Sequence, residues 1–137
     1  YLCGNPSQGK STFNHRARVF RLCQLAGRKM LASGSGKIIN LASMLSFFGG
    51  YTVPAYAAAK GAVNMLSQAM LLQLGQKGIR VTTINPGGTD TPFWGTRSVD
   101  KSKLMQPEDV VEIILFALTS NPKIQIHDIY FESSARF

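Results

Sequence analysis

The stretch YAAAK places a tyrosine and a lysine four residues apart, at Tyr56 and Lys60. Residues with this spacing lie on the same side of a helix, so the phenol and the ammonium would project together. A tyrosine can exchange a proton with a carbonyl or alcohol oxygen, and a nearby ammonium favours the phenolate and thereby lowers the tyrosine pKa. Because an ordinary helix can also carry such a pair, the chemistry depends on where the fold places it.

Helices and strands are predicted to alternate along the chain. Apolar residues recur every three or four positions in the helices, and short apolar runs bounded by Gly, Pro and Ser clusters are typical of strands. The predicted helices cover residues 15–32, 54–74 and a stretch that begins at Pro107, and the predicted strands cover residues 37–43, 79–85 and 123–131. Strands separated by such helices form a parallel sheet that is covered on both faces, so we expect an α/β fold.

One end of this predicted sheet collects residues that could act together. Ser43 ends the first strand, Pro86 and Gly87 follow the second, and Tyr56 and Lys60 lie on the helix between them. Ligands of parallel sheets bind beyond the carboxyl ends of the strands. A serine hydroxyl there can donate a hydrogen bond to a substrate oxygen while the tyrosine exchanges a proton with it. These residues predict carbonyl or alcohol chemistry, which also requires a hydride carrier.

Three segments resemble the carboxyl-terminal half of the short-chain dehydrogenases/reductases, namely GKIINLASMLSFFGGYTVPAYAAAKGAV, IRVTTINPGGTDTPF and QPEDVVEIILFAL. The resemblance extends over about residues 14–131. It implies a partial Rossmann-like, doubly wound parallel sheet with flanking helices, and an oxidoreductase that uses NAD or NADP and a small carbonyl or alcohol substrate. GKIINLASMLSF is similar to sugar-acid dehydrogenases of the family, whereas ALTSNPKIQIHDIYF is closer to its carbonyl and pterin reductases, so the substrate class stays open.

The resemblance also implies a role for each matching residue. Tyr56 would be the general acid/base, Ser43 would donate a hydrogen bond to the substrate oxygen, and Lys60 would bind the nicotinamide ribose and lower the Tyr56 pKa. Asn14 would match the family's proton-relay asparagine. The cofactor-binding residues implied in the same way are Tyr56, Lys60, Pro86, Gly87, Thr89 and Thr91.

The amino-terminal part departs from the family. Family members begin with a strand and a T-G-x-x-x-G-x-G loop that binds the cofactor pyrophosphate, and this sequence has no such loop. We therefore expect a truncated domain over residues 14–137, with the amino-terminal strands missing and the strand at 37–43 at an open edge. Residues 1–13 would form an atypical leader.

The leader contains GNPSQGKS at residues 4–11, which matches the P-loop pattern G-x-x-x-x-G-K-[ST]. In a P-loop, backbone N–H groups and the lysine bind phosphates. Only three residues precede the match, and no Walker-B strand or N-K-x-D motif follows it. We therefore expect no working nucleotide site, although a phosphate-binding module remains one alternative function. A non-catalytic fragment or interaction protein is the other.

The composition and charge of the chain limit the kinds of partner that we expect it to bind. The 137 residues include 15 Lys and Arg and 7 Asp and Glu, a net charge of +8. The sequence has no aromatic-interleaved basic stretch, membrane-length apolar run or metal-ligand spacing, so we expect no nucleic acid, no membrane and no metal. Two cysteines are too few for a disulfide scaffold, which favours the cytoplasm, and Cys23 lies in an apolar helix stripe as a packed thiol. The resemblance further implies a homo-oligomer.

Overall fold

Three parallel strands and three long helices form the protein, as a computed structural model describes it for the backbone of residues 6–136 and the side chains of residues 17–135. The helices are α1 (Pro6–Ser33), α2 (Leu45–Phe48), α3 (Pro54–Leu74) and α4 (Pro107–Thr119), and the strands are β1 (Gly36–Leu41), β2 (Ile79–Pro86) and β3 (Asp128–Phe131). The strand order is β1-β2-β3, and both pairs are parallel. The predicted α/β fold is confirmed.

Alternate residues of β1 and β2 face opposite sides of the sheet. Ile38 and Val81, which are opposite each other in register, pack in a buried cluster with residues of α1 and α3. Their neighbours Lys37 and Arg80 point the other way, and their cationic groups donate hydrogen bonds to carbonyls at the carboxyl end of α4, among them that of Leu118, 3.1 Å from the Lys37 Nζ. Helices α1 and α3 therefore cover one face of the sheet, and α4 covers the other.

The starts of two helices follow from proline. Pro54 and Pro107 each occupy the first turn, where the missing N–H costs nothing, and both helices begin where the sequence predicts. At α4 the Gln106 N–H also donates to the Asp109 carboxylate at 2.7 Å. Helix α1 covers Pro6–Ser33, so it extends further toward the amino terminus than the predicted start near residue 15. The division of the chain near residue 13 stays a prediction.

The last strand is shorter than predicted. It covers Asp128–Phe131, whereas the apolar pattern extends from residue 123. The reason is that side chains take the hydrogen bonds that a longer ladder would use. The Gln125 amide donates to the Val81 carbonyl at 2.8 Å, and the Thr82 hydroxyl donates to the Ile126 carbonyl at 2.7 Å.

A buried polar chain joins α1, β1 and α3. The Cys23 thiol donates to the Asn40 side-chain oxygen at 3.4 Å, and the Asn40 amide donates to the Ser67 hydroxyl at 2.8 Å. Burial raises the pKa of Cys23, while the bond to Asn40 opposes this effect. The prediction of a packed thiol is confirmed, and the side chains of Cys23, Asn40 and Ser67 all have hydrogen-bond partners.

Among the residues that the structure describes, β1 pairs with β2 alone, so its second side is an open edge, as predicted. None of the described helices is both long and apolar enough to cross a membrane. Within the same residues, no three His, Cys, Asp or Glu side chains are grouped so that they could hold a metal ion. Residues 6–11 are helical, whereas a P-loop stays non-helical up to its lysine.

Candidate active site

A cavity of about 900 Å³ opens at the carboxyl ends of β1 and β2. It is lined by every predicted site residue whose side chain the structure describes, namely Ser43, Tyr56, Lys60, Pro86, Gly87, Thr89 and Thr91. The side chain of Asn14 lies outside the described residues, so its role stays a prediction. The sheet thus brings residues from three separate segments into one site.

Ser43 is held at the end of β1 by the sheet itself. Backbone pairing continues past the strand, with the Ala42 N–H 2.8 Å from the Ile84 carbonyl and the Met44 N–H 3.0 Å from the Pro86 carbonyl. Ser43 is buried, and its hydroxyl oxygen accepts the Leu45 N–H at 3.2 Å, at the start of α2. That bond leaves the hydroxyl proton available to a second acceptor.

Tyr56 lies in the first turn of α3, where the side chain of Ser43 is near enough to its hydroxyl to affect its pKa. Its ring packs on that of Phe93, with centroids 4.8 Å apart. Burial raises the pKa of Tyr56, and the side chain of Ser43 opposes this effect. The predicted lowering of this pKa is therefore wrong for the protein without a ligand, because desolvation of the phenolate outweighs the favourable contacts. At neutral pH the phenol is protonated and can act as an acid.

Lys60 follows Tyr56 by one helical turn. Its ammonium donates to the Leu41 carbonyl at 2.8 Å and lies 5.8 Å from the centroid of the Tyr56 ring. Burial lowers the pKa of Lys60, because the loss of water destabilises the charged ammonium more than the neutral amine. The cation thus contacts the ring face and a backbone carbonyl, which explains why it does not set the Tyr56 pKa.

The loop after β2 forms the opposite wall. A Cβ on Gly87 would come within 2.6 Å of the Glu132 Cβ, so only glycine fits where this loop crosses the end of β3. The Gly87 N–H donates to the Phe131 carbonyl at 2.7 Å. Further along, the Thr89 carbonyl accepts the Trp94 indole N–H at 2.8 Å. The loop is therefore fixed at both ends.

Several residues of the site were missed by the sequence analysis. Phe93 and Trp94 follow Thr91 in a short 3₁₀ helix (Pro92–Trp94), and their rings meet edge to face with centroids 5.5 Å apart. Both line the cavity, as do Lys103 and Glu132. Phe93 and Trp94 could have been predicted from the sequence, because these two aromatic residues directly follow the P-G-x-x-x-T run. Glu132 could not have been predicted, because only the pairing of β3 with β2 brings it to the cavity.

Comparisons with known proteins show the family to which this fold belongs. The profile of the family described as short chain dehydrogenase matches residues 13–102. An uncharacterized oxidoreductase of Staphylococcus aureus (strain MRSA252) is 34% identical over 100 residues, which are 73% of this chain and 43% of that protein. The 2-dehydro-3-deoxy-D-gluconate 5-dehydrogenase of Bacillus subtilis (strain 168) is 52% identical over 73 residues, which are 53% of this chain and 29% of that protein.

A solved structure is similar as well. A short-chain dehydrogenase from Sphingobium yanoikuyae, in complex with NADPH, matches with a TM-score of 0.68 and 27% identity over 80% of this chain and 42% of that one. This chain spans less than half the length of the curated relatives it matches first. The family profile nevertheless covers more than half of the chain. The chain therefore belongs to the short-chain dehydrogenase family.

Proposed function

We propose that the protein is an NAD- or NADP-dependent oxidoreductase that interconverts a carbonyl and an alcohol, with Tyr56 as its general acid/base. The observation that carries this proposal is that Ser43, Tyr56 and the half-buried Lys60 line one cavity at the ends of the strands. In carbonyl reduction, Tyr56 gives its phenolic proton to the substrate oxygen, and Ser43 donates a hydrogen bond to the same oxygen. In alcohol oxidation, the proton returns to Tyr56.

The cavity suits the nicotinamide half of the cofactor. Its volume lies in the usual range of small-molecule sites, and its largely apolar wall includes Pro86 and Gly87. Lys60 would hold the ribose hydroxyls, and Thr89 and Thr91 would bind the nicotinamide. When bound, the nicotinamide supplies the hydride that the carbonyl carbon accepts. Because the sequence has no T-G-x-x-x-G-x-G loop for the pyrophosphate, we expect this chain alone to bind the whole cofactor weakly.

The test combines cofactor binding with turnover. NADPH comes first, since the Sphingobium relative holds it, followed by NADH. A keto sugar acid is the first carbonyl to assay, because the Bacillus relative is named for one, and a simple hydroxyketone and an aromatic aldehyde widen the range. We expect saturable quenching of NADPH fluorescence and oxidation of NADPH at 340 nm with at least one carbonyl. If neither cofactor binds up to about 1 mM, a non-catalytic protein is the better description.

Lys60→Ala is expected to weaken both cofactor affinity and rate. The substitution removes the half-buried ammonium that would hold the ribose, and a charge-assisted hydrogen bond of this kind contributes about 1.5 to 3 kcal/mol. The dissociation constant of NADPH, measured by fluorescence titration, should therefore rise by roughly tenfold to a hundredfold.

The matched control for this change is Lys77→Ala, at an exposed lysine just beyond α3. It should leave NADPH affinity unchanged. Equal losses in the two variants would mean that NADPH responds to the overall positive charge, and the assignment of Lys60 would then fail.

Residues 4–11 are expected not to bind nucleotides despite their P-loop pattern. The backbone from Pro6 to Ser11 is helical, whereas a P-loop stays non-helical up to its lysine. Calorimetric titration with Mg-ATP and Mg-GTP should show no saturable binding below about 1 mM. Tight binding that is abolished by Lys10→Ala would contradict this expectation and favour a phosphate-binding module.

A further inference from the structure

The loop after β2 presents aromatic side chains to the reaction residues. Phe93 packs on the ring of Tyr56 with centroids 4.8 Å apart, and Trp94 meets Phe93 edge to face with centroids 5.5 Å apart. Both aromatic side chains line the cavity, as does Leu104 from the far end of the same loop. We use "aromatic wall" for Phe93, Trp94 and Leu104. Because this wall begins at the ring of Tyr56, a group attached to a carbonyl that Tyr56 protonates comes next to it.

The aromatic wall is held in place by contacts inside its own loop. The two ends of the loop are joined, since the Asp90 N–H donates to the Met105 carbonyl at 2.8 Å and the Met105 N–H donates to the Gly88 carbonyl at 3.0 Å. A Cβ on Gly88 would come within 2.8 Å of the Leu104 side chain and 3.6 Å of the Trp94 ring, so both side chains pack on this glycine. The wall is therefore preformed, as the walls of small-molecule sites usually are.

Several polar groups of this loop are already bonded within it. The Trp94 indole N–H donates to the Thr89 carbonyl at 2.8 Å, and the Thr89 hydroxyl donates to the Gly87 carbonyl at 3.3 Å. The Asp90 carboxylate forms an ion pair with the Lys101 ammonium at 2.9 Å. A substrate with several hydroxyl groups would lose hydrogen bonds to water beside this wall and find few replacements, which is unfavourable. An apolar ring has no such bonds to lose, and it gains contact with the aromatic side chains.

The charged side chains of the cavity do not favour an acidic substrate. Besides Lys60, the cavity is lined by Lys103 and Glu132, which have opposite charges. Lys103 is exposed, and an ion pair with an exposed lysine adds little affinity. A substrate carboxylate would also meet the like charge of Glu132. These charges are more compatible with a neutral substrate.

We propose that the substrate of this site is a neutral aldehyde or ketone with an apolar ring, which packs on the aromatic wall while the carbonyl oxygen meets Ser43 and Tyr56. Trp94 would determine this specificity, because its side chain is the largest of the wall and its one polar atom is already bonded. The inference rests on the proposed function, since it names the substrate class of the same reaction. It predicts that an aromatic aldehyde is reduced better than the keto sugar acid for which the Bacillus relative is named.

The first test uses the fluorescence of Trp94, which is the only tryptophan of the chain and therefore reports on the wall directly. Benzamide, a neutral ring with an unreactive carbonyl, is titrated without cofactor and again with NADP⁺. We expect a saturable change with a dissociation constant of roughly 0.1 to 10 mM, and only a linear decrease for free N-acetyltryptophanamide. Sodium gluconate, a sugar acid, should give no saturable change. A saturable response to gluconate, or a linear response to benzamide in both titrations, would overturn the proposal.

Steady-state rates with NADPH measure the preference itself. Benzaldehyde and 4-carboxybenzaldehyde differ only in a carboxylate far from the carbonyl, and we expect kcat/KM to be at least about tenfold lower for the acid. Glyceraldehyde, which has hydroxyl groups in place of the ring, should also be reduced at least about tenfold less efficiently than benzaldehyde. An equal or reversed preference in either pair would contradict the proposal.

Failure of this inference can be distinguished from failure of the proposed function. If the keto sugar acid is reduced more efficiently than benzaldehyde, the proposed function stands and the inference is wrong. If no carbonyl is reduced with NADPH or NADH, the proposed function fails. The benzamide titration then decides alone whether the aromatic wall binds a ring, because it needs no turnover.

Two variants test the aromatic wall. Trp94→Leu removes the largest ring, and Leu104→Asn adds a polar group while it leaves the bond between Trp94 and Thr89 intact. In each variant we expect the ratio of kcat/KM for benzaldehyde to that for glyceraldehyde to fall by about tenfold. The ratio is the right measure, because it cancels differences in the fraction of folded protein and in the reactivity of the two aldehydes.

Phe116→Leu is the matched control, since Phe116 is an exposed aromatic residue of α4 that does not line the cavity. Its ratio should equal that of the unmodified chain. If Trp94→Leu and Leu104→Asn both kept the unmodified ratio, the aromatic wall would not select the substrate and the proposal would be wrong. Circular dichroism of each variant verifies that the fold is retained, and the second variant provides the test if the first does not fold.

Discussion

Tyr56→Phe is expected to lower carbonyl reduction by roughly two to four orders of magnitude. The substitution removes only the phenolic oxygen, which lies near Ser43, and it keeps the ring that packs on Phe93. No proton then reaches the substrate oxygen, while the cavity and its lining stay in place. The measurement is the initial rate of NADPH oxidation at 340 nm with the best carbonyl found, together with NADPH affinity, which should change little.

Tyr51→Phe is the matched control, because Tyr51 is fully exposed in the loop before α3. Its rate should equal that of the unmodified chain. If the Tyr56 variant kept the unmodified rate with bound NADPH, another group would have to supply the proton.

The raised pKa of Tyr56 also predicts how the rate of reduction depends on pH. The protonated phenol persists to higher pH than in an ordinary tyrosine, so reduction should hold its rate through neutral pH before it declines.

Ile84→Ala is expected to have the largest effect on stability. Ile84 is completely buried in the central strand, opposite Leu41 of β1 and Ile129 of β3 in register. Removing the buried methyl and methylene groups leaves a cavity that the paired strands on both sides cannot close, and such changes cost about 2 to 5 kcal/mol. A chain of this size typically has only about 5 to 15 kcal/mol of stability. Urea unfolding followed by circular dichroism measures the loss.

Ile124→Ala provides the same chemical change at a position that is 54% exposed. It should alter the free energy of unfolding by less than about 0.5 kcal/mol. Similar losses at the two positions would mean that β2 is not the centre of the folded core. If the Ile84 variant showed no cooperative unfolding transition, its loss of stability would be larger than expected but in the expected direction.

The sequence was sufficient for the main elements of the fold because their signals are local. Pro54 and Pro107 fix two helix starts, and the short apolar runs fix three strands. The position of the site followed from a general property of parallel sheets, which is why Ser43 and Tyr56 were correctly placed at one end. These features could be predicted because they depend on residues that are close together in the sequence and on the sheet topology that those residues imply.

What the sequence missed depends on contacts between distant segments. The end of β3 is set by Gln125 and Thr82 side chains that bond across strands, which no periodicity reveals. The direction of the Tyr56 pKa shift depends on burial under Phe93, and therefore on how the loop after β2 folds back. The sequence predicts that the Lys60 ammonium lowers the Tyr56 pKa, whereas the ammonium also bonds to the Leu41 carbonyl, a contact between distant segments that the sequence does not reveal.

The bond from Lys60 to Leu41 links the open edge of the sheet to the charge in the cavity. Because the Ala42 N–H points toward β2, the carbonyl of the preceding residue, Leu41, points toward the unpaired side of β1. A strand that extended the sheet there would donate to this same carbonyl, whose oxygen has two lone pairs and can accept from the strand and from Lys60 together. The acceptor that holds the ammonium therefore belongs to the edge of the sheet, so a change in the backbone of that edge would move the charge in the cavity.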